Sequence, residues 1–386
     1  MYKIDLLNNI SEKGLGLFTE NYEYRAGISD PDGIMVRSKE MKDMSLPASV
    51  KAIARAGAGV NNIPIDKCSE RGIVVFNTPG ANANGVKELV VLGMLLASRK
   101  VNEGIAWAKG LVGEGDKVPD LIEKGKSKFG GTEILGKKLG VVGLGAIGTM
   151  VANTAESLGM EVWGYDPFMS IEAAWRLSRT TKRASSMDKL FAECDFISLH
   201  APLNKDTRGY INVDKFSVMK KGAVLLNFAR RELVNTPDLQ KAIADGIVSC
   251  YVTDFPDEEL IKMDKCIAIP HLGASTEESE ENCAIMAAMQ LMDFLENGNI
   301  KNSVNFPESY LDRSGNQRLI ISNNNSPGMI EKITHLLADS KLNISDMLNK
   351  SKGAIAYNII DIDDTVSDGL LKKIGSLEGI IAVRVL

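Results

Sequence analysis

A chain of 386 residues with only three histidines offers few groups that can move a proton near neutral pH. His200 stands in SLHAPL, His271 in IPHLGAST and His335 in EKITHLLA. The first two each follow a short apolar run that reads as a strand, and the third lies in a helical pattern. Two further segments carry charge at the same kind of place. NFARRELV sets Arg230 and Arg231 just past the run 223–227, and VTDFPDEE sets Asp254, Glu258 and Glu259 at or past the end of the run 247–253. A base, a planar cation and an acid at the carboxyl ends of strands are what the oxidation of a hydroxy acid requires. The base takes the hydroxyl proton. The guanidinium holds the carboxylate and polarises the developing carbonyl. The acid fixes the base and raises its pKa. Position favours His271, with His200 as its rival, Arg231 as the rival of Arg230, and the acid left open. Each of these groups could instead cap a strand or lie as solvated charge.

Chemistry of this kind needs an electron acceptor, and KLGVVGLGAIGTM supplies a place for one. Gly143, Gly145 and Gly148 form G-x-G-x-x-G directly after an apolar strand and at the start of a helix. That context predicts a tight turn at Gly143, close approach of a pyrophosphate at Gly145 and tight helix–strand packing at Gly148, with free N–H groups facing the phosphates. A second strand ends at Asp166, 18 residues after Gly148. An acid there binds ribose hydroxyls and repels a 2′-phosphate, so NAD is expected rather than NADP.

These groups must be held by a scaffold, and the pattern predicts its parts. Strands are expected at 2–7, 33–37, 50–55 and 73–76, then a buried apolar helix over 87–99. From 138 a strand–helix rhythm resumes, with strands at 139–142, 162–165, 196–199, 223–227, 247–253 and 266–269 and helices at 145–158 and 280–297. Alternation of this kind predicts doubly wound, Rossmann-like parallel sheets. Residues 298–317 are rich in Asn, Ser, Gly and Pro and read as a connector. Beyond it, the order βαββαβ over 318–386 predicts a ferredoxin-like unit. Residues 100–132 carry no pattern that assigns them a role.

Composition limits the function classes. With 44% hydrophobic and 25% charged residues the chain is globular rather than disordered. A net charge of -5 gives no general attraction for nucleic acid, so an anionic substrate would need local positive groups. The five cysteines include no C-x-x-C pair, which argues against a zinc site or disulfide framework and fits a reducing cytoplasm. No apolar run is long enough for a membrane span, and the start does not read as a signal peptide.

At the level of whole segments, the chain resembles the D-2-hydroxyacid dehydrogenases, and among them the members that oxidise 3-phosphoglycerate. The resemblance rests on GKKLGVVGLGAIGTMVANTAESLGMEVWGYDP, SLHAPLNKDTRGYIN, LLNFARRELVNTPDL and IPHLGAST, with VRS at 36–38, RAGAGVNNI at 55–63 and FNTPGANANGVKEL at 76–89. It implies His271 as general base, Arg230 as the substrate-orienting cation, and a glutamate partner at Glu259 or, with a one-residue gap, Glu258. It leaves His200 outside the catalytic set. It further implies cofactor contacts at Ala146, Ile147, Asp166, Phe228, Ala229 and Asp254, beside the three glycines. On the substrate side it implies phosphate contacts at Arg37, Ser38 and Arg55 and carboxylate contacts at the backbone of Ala58, Gly59 and Val60.

The same resemblance implies a domain plan. Residues 1–88 and 281–302 form a discontinuous substrate-binding lobe, 89–280 the NAD-binding domain, 303–317 a linker and 318–386 an ACT domain. ACT modules often bind amino acids. Asn323, Asn325 and Asn343 match positions that hold L-serine in feedback-regulated relatives, and a homodimer or homotetramer is expected. Other D-2-hydroxy acids (glycerate, hydroxypyruvate, lactate) remain alternatives, as does a non-catalytic NAD-sensing regulator built on the same fold.

Overall fold

The structure, a computed structural model, describes residues 1–386. By contacts the chain divides into two units, Met1–Asn82 with Glu277–Leu386, and Ala83–Thr276. The expected boundaries at 88/89 and 280/281 therefore move to 82/83 and 276/277. Each falls at the first residue of a long helix, Ala83–Ser98 and Glu277–Asn297, so each helix lies wholly in one unit.

The discontinuous unit holds two sheets. The first is parallel, in the order Tyr22–Arg25, Tyr2–Leu6, Gly33–Val36, Ala52–Arg55, Val74–Phe76. Gly33–Val36 is buried at every position, as a central strand covered on both faces must be. The strand Tyr22–Arg25 was not foreseen; YEYR at an edge lacks the apolar run that announces an inner strand. Helix Glu277–Asn297 packs here through Ala284, Ala287, Ala288, Leu291 and Phe294. The alanines allow close approach: a Cβ on Gly14, in helix Glu12–Leu15, would lie 2.5 Å from the Ala284 backbone.

The second sheet is antiparallel, in the order Ile344–Lys352, Ile355–Ile362, Gln317–Asn324, Ile380–Val385. With helices Met329–Asp339 and Asp368–Gly375 it makes the expected βαββαβ unit. Alternation along the strands gives each face a different duty. Leu319, Ile321, Ile360 and Ile362 pack with the helices' Ile333, Leu337 and Ile374. Ile320, Tyr357 and Ile359 join the core of the first sheet, with Ile4 and Phe294.

The segment read as a linker is therefore not a free tether. Ile300 bridges Ser309, and Ser303 bridges Phe76. Asn305 accepts from the Val75 N–H at 2.9 Å and donates to the Ile73 carbonyl at 2.9 Å, while Phe306 is buried. Its polar composition reflects side chains bonded to backbone rather than to water.

The unit Ala83–Thr276 carries a seven-stranded parallel sheet ordered Cys266–Ala268, Val248–Thr253, Ala223–Asn227, Phe196–Leu199, Lys138–Val142, Glu161–Tyr165, Lys182–Arg183. Its order reverses between Lys138–Val142 and Phe196–Leu199, the switch point at which doubly wound sheets bind ligands. Helix Ala83–Ser98 buries Val90 and Met94, and Gly93 admits the Phe228 ring, which would lie 2.9 Å from a Cβ there. The unassigned stretch 100–132 is mainly helical, with helices Val101–Lys109 and Val118–Gly125 and a short turn Lys126–Phe129 tied back to the first by a Trp107–Phe129 ring contact at 5.3 Å.

Candidate functional site

At the switch point, the turn 143–145 joins strand Lys138–Val142 to helix Ala146–Ser157. Gly143 has φ +90°, and a Cβ on it would lie 2.7 Å from the His200 backbone carbon. A Cβ on Gly148 would lie 2.0 Å from the Gly143 carbonyl oxygen. Gly145 is different: it precedes the helix without a side-chain cap, is exposed, and has open space where a Cβ would be. The first N–H groups of the helix, at Ala146, Ile147 and Gly148, therefore start beside an open surface, which is the donor arrangement a pyrophosphate fits. Asp166 is fixed by the same turn. Its carboxylate accepts from the Leu144 N–H and the Phe168 N–H, both at 2.8 Å.

His200 lies under this turn. Its Nε2 is 2.8 Å from the Ser198 Oγ, its backbone N–H donates to Val142 at 2.7 Å, and burial lowers its pKa to about 4. It is neutral at pH 7 and held as a packing group. His335 is an exposed helix residue 3.5 Å from Asp339.

Three strand ends of the same unit bring the other candidates together. Asn227, fully buried, donates to the Arg230 carbonyl at 2.9 Å and to the Tyr251 hydroxyl at 3.1 Å, and accepts from the Ala229 N–H at 3.2 Å. It shapes the turn that presents Arg230. Phe228 turns its ring into the core, leaving its backbone as the part able to meet a ligand. The Arg230 guanidinium lies 5.9 Å from the Phe255 ring centre, and the His271 ring lies 4.5 Å from the same ring. Phe255 is thus a shared platform, and neither it nor Asn227 was singled out from the sequence. Their signals, an Asn at a strand's last position and an aromatic after an Asp, are too common to select. Arg231, the rival cation, is paired with Asp257.

Asp254 is 2% exposed, and its Oδ1 has no partner. Burial raises its pKa to about 6 against the opposing pull of His271, the Gly273 N–H and Arg230. A buried carboxylate with a vacant acceptor, whose pKa both His271 and Arg230 pull down, suits the carboxamide N–H of a nicotinamide. The glutamates stand differently from expectation. Glu258 pairs with Lys262, and Glu259 is exposed in the first turn of helix Glu258–Ile261; neither is hydrogen-bonded to His271.

The substrate-side segments lie together in the other unit. Val36 and Arg55 are partners in register, so Arg37–Ser38 and 55–60 leave the same end of the first sheet. The Asn8 side chain accepts from the N–H groups of Arg37, Ser38 and Lys39, and Asn62 accepts from the Arg55 Nε at 3.2 Å while donating to the Lys39 carbonyl at 2.7 Å. Arg55 folds over Gly57, where a Cβ would lie 2.2 Å from its guanidinium. The Ala58 carbonyl is held by Asn77 at 2.6 Å. Arg37 is paired with Glu280 at 2.5 Å, which offsets part of the local positive charge the two arginines were expected to give.

The three asparagines of the terminal module do not converge within one chain. Asn323 is buried and accepts from Asn358 at 2.8 Å, and Asn325 donates to the Gly353 carbonyl at 3.2 Å. Asn343 bonds Asp363 at the opposite end of the sheet, about 20 Å away at the usual rise per strand residue.

The sequence profile of the D-isomer specific 2-hydroxyacid dehydrogenase NAD-binding domain matches residues 91–273. D-3-phosphoglycerate dehydrogenase of Haemophilus influenzae is 32% identical over 382 residues, covering 94% of this chain and 88% of that protein. The enzyme of the same name from Escherichia coli is 31% identical over 383 residues, covering 95% and 90%. Among solved structures, the NAD+-bound 3-phosphoglycerate dehydrogenase of Entamoeba histolytica superposes with a TM-score of 0.62 at 30% identity, over 80% of this chain and 99% of that one.

Proposed function

Since the chain belongs to the D-isomer specific 2-hydroxyacid dehydrogenases and is an NAD-dependent enzyme of that family, we propose that it oxidises D-3-phosphoglycerate to 3-phosphohydroxypyruvate, the step that opens L-serine synthesis. NAD, when bound, supplies the hydride acceptor. The observation that carries the reading is the buried Asp254, with its free Oδ1, under the combined influence of His271 and Arg230.

An imidazole nitrogen of His271 takes the hydroxyl proton as the carbonyl forms. The Arg230 guanidinium holds the substrate carboxylate and stabilises charge on the developing carbonyl oxygen. Asp254 steadies the resulting imidazolium while its free oxygen holds the carboxamide. Glu259, given this role by family resemblance, becomes the partner of His271 only if the segment around helix Glu258–Ile261 shifts when ligands bind. Arg37, Ser38 and Arg55 are assigned the phosphate and the backbone of 58–60 the carboxylate on the same basis.

The test is a steady-state assay of NAD reduction with 3-phosphoglycerate against D-glycerate and D-lactate. A kcat/KM highest for 3-phosphoglycerate, with KM raised tenfold or more by Arg55→Ala, supports the substrate. An unchanged KM in both Arg37→Ala and Arg55→Ala overturns it.

We read the terminal βαββαβ module as an ACT domain; its first strand and the loop after it place Asn323 and Asn325 at one end of the sheet. With Asn343 at the other end, an L-serine site built from all three needs two chains, which fits a homodimer or homotetramer inhibited by L-serine. Isothermal titration of the full chain with L-serine checks this; no heat and no change in rate would sink it.

A further inference from the structure

Two asparagines with no part in the proposed reaction hold the substrate-side segments in place. Strands Tyr2–Leu6, Gly33–Val36 and Ala52–Arg55 are parallel neighbours, with Leu6 aligned to Met35 and Val36 to Arg55. Asn8, the segment 37–39 and Asn62 therefore all follow the carboxyl ends of adjacent strands.

Asn8 serves one side of the segment 37–39. Its Oδ1 accepts from the N–H groups of Arg37, Ser38 and Lys39 at 2.8, 3.2 and 3.1 Å. Successive N–H groups converging on one point form a nest of the kind that takes an anion. Here a neutral amide oxygen fills it. The segment thus has its shape before substrate arrives, and a phosphate is left to the side chains. Asn62 serves the other side. Its Nδ2 carries two hydrogens and donates to the Lys39 carbonyl at 2.7 Å and to the Arg37 carbonyl at 3.4 Å. Its own backbone carbonyl accepts from the Met41 N–H at 2.8 Å.

The remaining polar atom of the same side chain holds Arg55. Asn62 Oδ1 accepts from the Arg55 Nε at 3.2 Å. Nε is the root of the guanidinium fork, so this bond sets the plane of the fork over Gly57, where a Cβ would lie 2.2 Å from Nη1 and 3.5 Å from Nη2. One amide therefore ties Arg55 to the segment that carries Arg37 and Ser38. Asn8 and Asn62 are half-buried, whereas Ser38 and Lys39 are exposed.

We propose that Asn62, assisted by Asn8, is a positioning residue that fixes the spacing between Arg55 and the 37–39 segment, and so sets the preference for a phosphorylated 2-hydroxy acid over the same acid without its phosphate. This rests on the assignment of Arg37, Ser38 and Arg55 to the phosphate. A long arginine loses rotamer freedom when it grips a ligand, and that loss weakens binding. Asn62 restricts the side chain beforehand, without touching the substrate itself.

Steady-state rates of the full chain are measured with 3-phosphoglycerate and with D-glycerate, which lacks only the phosphate. Asn62→Ala should raise KM for 3-phosphoglycerate roughly tenfold with kcat changed far less, and should cut the ratio of kcat/KM for 3-phosphoglycerate over D-glycerate by about the same factor. Asn8→Ala, which leaves Arg55 held, should cut that ratio by about threefold. General loosening of the fold would impair both substrates alike and leave the ratio where it was. Thermal unfolding checks that each variant is folded, and Asn8→Ala decides alone if Asn62→Ala is not. A ratio unchanged in the folded variants, with the wild type still preferring 3-phosphoglycerate, overturns this proposal only. A wild type without that preference removes the phosphate reading and this proposal with it.

Discussion

Two buried aspartates, one in each unit, are treated in opposite ways. Asp361, in the terminal module, is fully satisfied. Arg318, itself 0% exposed, meets it with Nε and Nη2 at 2.6 and 2.8 Å, and Ser314 adds two more donors. Burial works to raise its pKa, but those bonds win and lower it. Asp254 keeps a bare oxygen, and there burial wins and its pKa rises. Arg318 also donates to the Asn297 and Leu311 carbonyls, both at 2.9 Å, tying helix Glu277–Asn297 and the connector to the module's first strand. A saturated buried charge holds architecture in place; an unsaturated one marks a place where a ligand is expected.

The contrast can be broken most severely at the saturated pair. Arg318→Met strands a buried carboxylate and should destabilise the chain by about 3–5 kcal/mol in denaturant unfolding, while the double change with Asp361→Leu recovers most of that loss. If the single change is harmless, the pair is not an anchor. At the functional end, His271→Ala should lower kcat by roughly 100-fold, about 2.7 kcal/mol, with cofactor affinity retained; near-normal turnover would remove His271 from the mechanism.

Asp254→Asn sharpens the comparison because its effects oppose each other. The folded pKa of Asp254 is raised to about 6, so the fold favours its neutral form. That stability is present in full below the unfolded value near 3.8 and is lost as pH rises through 6. The amide should therefore be more stable than the wild type by on the order of 1–3 kcal/mol at pH 7–8, with the gain gone at pH 4, and should be catalytically impaired. Equal stability at both pH values would show that Asp254 is not strained by burial. The smallest effect has the reverse sign. His200 has its folded pKa lowered to about 4, so its contribution is present above pH 6.5 and lost as pH falls through 4. His200→Gln should flatten that acid-side loss by on the order of 1–2 kcal/mol, read from unfolding curves at pH 7 and 4.5.

Much of this was legible in the order of residue types. Apolar runs of four to six residues between helices gave the inner strands, because strands covered on both faces have no polar alternation to blur them. The glycine turn was legible because glycine is the residue that tolerates φ +90° at Gly143 and the contact at Gly148. Edge strands Tyr22–Arg25 and Lys182–Arg183, and helices Val101–Lys109 and Val118–Gly125, were not, since exposed polar segments take their form from neighbours rather than from their own pattern.

The sequence by itself determined the doubly wound plan, the dinucleotide turn, and the candidacy of His271 and Arg230, because periodicity and glycine placement are local properties of the chain. Only the tertiary structure decided that Arg231 is taken by Asp257, that Phe255 lies against both His271 and Arg230, and that Asp254 is buried with a free carboxylate oxygen. The same holds for the connector, whose polar residues turned out to be bonded into the first sheet. Burial and partnership arise between segments far apart in the chain, and a carboxylate's pKa depends on them rather than on its neighbours in sequence.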